Sequence, residues 1–167
     1  MNSPEEIREL SELRLKEAGV LLENNMLDGA FYLAGYSIEL SLKAKLCERF
    51  DIPNLFSEQN NKENIEETKK ENNKMKIEKL QKIKDKIKGM VLIHDLDTLM
   101  LLCGLHLKYK DFTMTNKEML GNMTLIETWN TNIRYKKNGY ITKEQVEKLI
   151  LFLKNKENGL LQWIQNN

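Results

Sequence analysis

Between Asp28 and Phe50 the chain reads DGAFYLAGYSIELSLKAKLCERF, and no other stretch of this length is as apolar. It holds no proline, so it reads as one unbroken helix. Its apolar residues do not form a single stripe. Ala30, Ala34, Ser37, Ser41 and Ala44 make one face of small side chains. Phe31, Ile38 and Leu42 make a second, and Leu33, Leu40 and Cys47 a third. A helix apolar nearly all round is buried among other helices, and a small-residue face lets one neighbour approach closely. Tyr32, Tyr36, Glu39 and Lys43 form the remaining polar strip.

The other segments supply the cover. Pro4 to Asn24 reads as a first helix, with Ser3 as N-cap, Pro4 in the first turn and Glu5 and Glu6 at the positive end of the dipole. Ile7, Leu10, Leu15, Ala18, Leu21 and Leu22 form its inner face. Arg14 points into that face, either with its stem packed and its head in solvent or in an ion pair with Glu39. A short Asn/Asp/Gly turn makes the first two helices an antiparallel hairpin. Pro53 stops the second helix. Ser57 to Asn73 is polar and exposed or partly disordered. From Met75 a basic amphipathic helix begins: Lys74 to Lys88 holds seven lysines against Glu78 and Asp85, with Ile77, Leu80, Ile83, Ile87 and Val91 as its apolar positions. It reads as a solvated outer face or as a contact for phosphate or an acidic partner. His94-Asp95 caps a third core helix to about Leu107, whose inner face is Leu96, Met100, Cys103 and Leu107; His106 lies near its far end. Lys108 to Thr115 reads as a loop. The capping box Thr115–Glu118 opens a fourth helix to Arg134-Tyr135, with Met119, Met123, Ile126, Trp129 and Ile133 inward. Thr142–Gln145 opens a fifth, with Val146, Leu149, Ile150, Leu153, Leu160 and Ile164 inward. The expected fold is all-α: one domain over residues 1–167, an up-and-down bundle of four to five antiparallel helices, with residues 57–90 as a polar, lysine-rich insert after helix 2.

A net charge of +1 excludes a global electrostatic pull towards nucleic acid, so a charged partner must meet a local patch. The longest apolar run is too short for a membrane span, and MNSPEEIREL is no secretory leader. Cys47 and Cys103 read as free buried thiols of a cytoplasmic protein. No Gly-rich phosphate loop, zinc spacing or Glu-x-x-His pair occurs, so neither a metal nor another cofactor is expected.

The run AGYSIELSLKAKL, with its A-x-x-x-x-E-x-x-x-K-A arrangement at Ala34, Glu39, Lys43 and Ala44, resembles the signature helix of HEPN domains. His94-Asp95-Leu96 opening a core helix, Trp129 upstream of Arg134-Tyr135, and the long final helix resemble the same family. The resemblance implies a homodimeric helical bundle in a bacterial toxin–antitoxin or defence setting. Active members are metal-independent ribonucleases with an Arg-x(4–6)-His motif near the last helix. Here Arg134 stands in the expected place, but Gly139, Tyr140 and Ile141 fill the window for histidine. Without imidazole the usual proton shuttle is missing. The resemblance thus implies a module that binds RNA, a nucleotide or a cognate partner such as a small nucleotidyltransferase. Its candidate surface is Arg134, Tyr135, Lys136, Lys137 and Tyr140 with Tyr32, Tyr36, Glu39 and Lys43. The alternatives are an altered ribonuclease, using Arg134 with Tyr140, His94 or His106 as acid–base, and a structural assembly protein docking through its lysine-rich helix.

Overall fold

The structure, a computed structural model, describes residues 3–52, 78–80, 82–87, 89 and 92–167. Among these it is helical, with no strand: α1 (Pro4–Glu23), α2 (Leu27–Arg49), α3 (Leu96–Leu102), α4 (His106–Thr115), α5 (Lys117–Thr128), a 3-10 turn (Thr131–Tyr135), α6 (Lys143–Lys154) and α7 (Leu160–Asn166). Residues 78–80 and 82–87 are also helical. The polar stretch 57–73, and positions 74–77, 88 and 91 of the lysine-rich segment, lie outside the described residues.

α2 is the buried centre. Its small face is covered: Ala30, Ala34, Ser37, Ser41 and Ala44 are all buried. The antiparallel α1 lies close enough for Ser11 Oγ to donate to Ser37 O at 2.6 Å. α1 begins as read, with Ser3 and Glu6 forming a reciprocal capping box. Arg14, however, pairs with Glu17 on its own helix rather than with Glu39. Another side of α2 accepts an indole ring. Trp129 is buried and donates from Nε1 to Tyr32 O at 3.0 Å. A Cβ on Gly35 would stand 2.1 Å from Trp129 Cδ1, so only glycine leaves room for the indole here.

Three helices expected to be continuous are broken. The third ends at Leu102, because Gly104 takes a left-handed φ of 68° and turns the chain. Residues 108–115, expected as a loop, are helical within α4. His106 therefore sits at the start of a helix rather than near the end of one, and Leu107 is exposed rather than inward. α4 is held from outside: the Phe112 ring stacks on Trp163 at 4.9 Å and on Phe152 at 6.5 Å. The fourth helix is capped by Asn116, not Thr115, and stops at Thr128. Trp129 leaves helical geometry to reach α2, and Asn130 caps the 3-10 turn that follows. The fifth helix begins with the expected Thr142–Gln145 box but breaks at Asn155, whose Oδ1 accepts from the amides of Glu157 and Asn158. Every core position expected for it, from Val146 to Ile164, is buried.

Cys47 and Cys103 are buried thiols not joined in a disulfide. Burial pushes the Cys103 thiol up to about 12, and Sγ donates to Leu42 O at 3.3 Å. A thiol kept protonated and out of reach is a poor nucleophile. An aromatic disulfide reagent at pH 8 should label neither cysteine of the folded protein within minutes and both in denaturant. Gly35→Ala should cost about 1–3 kcal/mol of stability by overpacking against Trp129, read by urea unfolding followed through tryptophan fluorescence.

Candidate functional site

The charged half of the polar strip of α2 does not face water. Glu39 is 0% exposed and Lys43 3%, so the carboxylate and ammonium meet inside the protein, Nζ to Oε1 at 2.6 Å. The i, i+4 spacing read from the sequence is correct; its burial changes what it means. An exposed pair of this kind contributes a few tenths of a kcal/mol. A buried one carries a desolvation cost that must be met by geometry and further hydrogen bonds.

The further hydrogen bond comes from His94. Its Nδ1 lies 2.9 Å from the same Oε1. Asp95 alone caps α3, accepting from Thr98 N at 2.7 Å. His94 is thus released from capping and turned to the core, with 53% of its side chain exposed. The proton positions follow from the donors. An ammonium only donates, so Oε1 accepts, and the imidazole must donate to it from Nδ1. In neutral His94 that leaves Nε2 as the lone-pair nitrogen. The arrangement is a carboxylate-oriented imidazole whose other nitrogen is a proton acceptor.

Glu39 Oε2 has no hydrogen-bond partner among the described residues. Tyr36 is held near it. Burial, and then the Glu39 charge, raises the Tyr36 phenol above its ordinary value. Tyr36 stacks on Tyr32 at 6.3 Å, and Tyr32 packs on Trp129 at 6.2 Å. A ladder of three rings therefore runs from the indole to the edge of the Glu39 cluster.

The second candidate group lies against the start of α2. Arg134, Tyr135, Lys136 and Lys137 are all exposed, on and just after the 3-10 turn that Ile133 anchors in the core. The Arg134 guanidinium sits 5.0 Å from the centre of the Tyr135 ring, and Lys136 Nζ lies 5.3 Å from that of Tyr140. Tyr140 packs edge-on against Phe31. Its hydroxyl is buried without a partner among the described residues, and burial, followed by the Asp28 carboxylate, pushes its phenol up to about 12. Gly139 N donates to Asp28 Oδ2 at 2.9 Å, fixing this loop at the start of α2. Asp28 and Glu39 are eleven residues apart, about 16 Å along a helix axis at 1.5 Å per residue. Within one chain, α2 thus holds the Arg134 loop at its start and the Glu39–Lys43–His94 cluster in its middle. His106 lies in neither; it lines a groove among α3, α4 and α5.

Sequence reasoning placed Glu39 with Lys43 but missed His94 as their partner. The pairing spans 55 residues and has no local signal. Among the described residues, no group of three or more His, Cys, Asp or Glu side chains could hold a metal ion, and no helix is long and apolar enough to cross a membrane. No protein-family model, curated protein or solved structure matches the chain.

Glu39→Gln should lower stability by about 3–5 kcal/mol, because it leaves the Lys43 ammonium buried beside a neutral group. The double variant Glu39→Gln/Lys43→Met should recover most of that loss. Urea midpoints of the three proteins test the assignment; equal losses in the single and double variants would contradict it.

Proposed function

We propose that this chain is a HEPN-like helical module that binds RNA through the Arg134 loop, in a bacterial toxin–antitoxin or defence setting. One observation carries the reading. Arg134, Lys136 and Lys137 are exposed, make no ion pair among the described residues, and flank the exposed ring of Tyr135. Cations beside a free aromatic face are what a single strand requires: charge for phosphate and a surface for a base. The lysines of the helical residues 78–80 and 82–87 have no aromatic ring among them, which makes them the weaker candidate. The resemblance at Ala34, Glu39, Lys43 and Ala44 supports the family and, with it, an up-and-down bundle that acts as a dimer, whose cognate partner is a small nucleotidyltransferase. Tyr32, Tyr36, Glu39 and Lys43 serve this surface from behind by fixing α2.

His94 favours a second reading, the altered ribonuclease. Its Nε2 is the proton acceptor that the loop lacks, because Tyr140 is held protonated far above neutral pH. Since His94 and the Arg134 loop pack against different stretches of α2, this reading needs two copies to bring one of each together.

Purified protein should retain labelled single-stranded RNA without cleaving it when chelator is present. Retention should weaken with salt. Replacing Arg134, Lys136 and Lys137 by Ala should flatten the plot of log affinity against log salt by about 2, at about 0.7 for each phosphate no longer neutralised. Cleavage abolished by Arg134→Ala or His94→Ala would replace the binding reading with the enzymatic one. Unchanged retention in the triple variant would remove the loop as the site.

A further inference from the structure

Helices α5 and α6 leave a cleft of about 530 Å³ between them, a volume suited to a small molecule. Its α6 wall is apolar, made by the buried Phe152 and by Leu151, which is 69% exposed. Its α5 wall is bare at Gly121, where a Cβ would meet no atom within 4 Å. A flat group can therefore lie directly against the α5 backbone.

Asn122 of α5 and Asn155, just after α6, line the same cleft, and each leaves one half of its side-chain amide unused. Asn122 is 5% exposed. Its Nδ2 donates to Glu118 O at 2.8 Å, while its Oδ1 is closed to bulk solvent and has no partner among the described residues. Buried acceptors are ordinarily paired, so one left over calls for a donor from outside the fold. Asn155 is the reverse case. Its Oδ1 accepts from the amides of Glu157 and Asn158, at 3.0 and 3.1 Å, and its Nδ2 has no partner among the described residues. The rim selects no charge. Lys117 and Glu118 stand there with opposite signs, and the ammonium of Lys148 is held by Glu144 at 2.7 Å.

We propose that this cleft binds a small, neutral, planar carboxamide. The ligand's N–H donates to Asn122 Oδ1, its C=O accepts from Asn155 Nδ2, and its ring lies between Gly121 and the wall of Leu151 and Phe152. The cleft offers one acceptor and one donor, and an amide edge answers both with two atoms held side by side. A carboxylate brings no donor for Asn122, and an ammonium brings no acceptor for Asn155. The site shares no residue with the Arg134 loop or the Glu39 cluster, so it stands or falls apart from RNA binding.

Benzamide is the probe, titrated into the isotope-labelled full-length chain and followed through amide chemical shifts. It should bind with a dissociation constant of about 1 mM, the range open to so small a ligand. The shifts should centre on Gly121, Asn122, Leu151 and the side-chain amide of Asn155. Benzoate and N,N-dimethylbenzamide, which present no donor, should bind about tenfold more weakly, the loss of one hydrogen bond. Gly121→Leu fills the bare wall at an exposed helical position and should abolish binding without loss of helical circular dichroism. Asn122→Leu should weaken benzamide by about tenfold and leave N,N-dimethylbenzamide unchanged. No saturable shift with benzamide, shifts centred on another face, or equal binding of benzamide and N,N-dimethylbenzamide by the wild type would each overturn the proposal.

Discussion

A helix buried on most of its sides has to be surrounded, and α2 imposes that requirement on everything else in this protein. Fourteen of its 23 residues are buried, so each neighbour is selected by the face it must cover. The small face admits α1 at a distance short enough for a side chain of one helix to reach a backbone carbonyl of the other. The face at Gly35 admits Trp129. The C-terminal turn admits Arg49 beneath the Cys103 carbonyl and Lys45 Nζ against Gln165 O at 3.1 Å, tying α3 and α7 to the same axis. Breaks in the surrounding helices follow from this demand. A straight helix touches a central rod over a short length, whereas a broken one keeps apolar side chains directed at it.

The same constraint explains the Glu39 cluster. A residue in the middle of such a helix is buried whatever its chemistry. A carboxylate there must bring its own partners or be lost. Lys43 supplies the charge from one turn away, and His94 supplies a second donor from the start of α3. One oxygen takes both, which leaves the other with no partner among the described residues. The hydrophobic effect would tolerate any apolar residue at position 39. The cluster instead fixes the rotation of α2 and the place where α3 starts, because only one register satisfies three polar groups at once. Buried polar groups have this specifying role in other helical assemblies.

Much of the fold is legible in the sequence because periodicity reports burial directly. The small face, the inner faces of α1 and α6, the N-cap at Ser3 and the capping box at Thr142 stand where the spacing puts them. What periodicity does not report is interruption. The apolar phase runs on through Gly104, Trp129 and Asn155, so it carries no mark of the breaks. Their signals are chemical: a lone glycine, an indole that needs an acceptor, an asparagine four residues ahead of a glycine. The Lys108–Thr115 stretch looks like a loop because Tyr109 and Phe112 stand among Lys108, Lys110, Asp111 and two threonines, with little aliphatic content of its own. They pack on Trp163 instead, a contact no local window contains. The candidate site divides in the same way. Glu39 and Lys43 announce each other at i, i+4, and Arg134 with its lysines forms a visible run. His94 stands among residues that suit a helix cap, so its bond to Glu39 is masked by a role that Asp95 fills alone.

The most direct test of the buried cluster is the protonation pattern of His94, read from long-range proton–nitrogen correlations in labelled protein at neutral pH. The Glu39 contact predicts one tautomer, with Nδ1 carrying the proton and Nε2 the lone pair. It also predicts that Glu39→Gln frees the ring, while His106, in the separate groove, stays as it was. A His94 ring that exchanges between tautomers like free imidazole, in the wild type as in the variant, would contradict the buried cluster and the organisation of α2 built upon it.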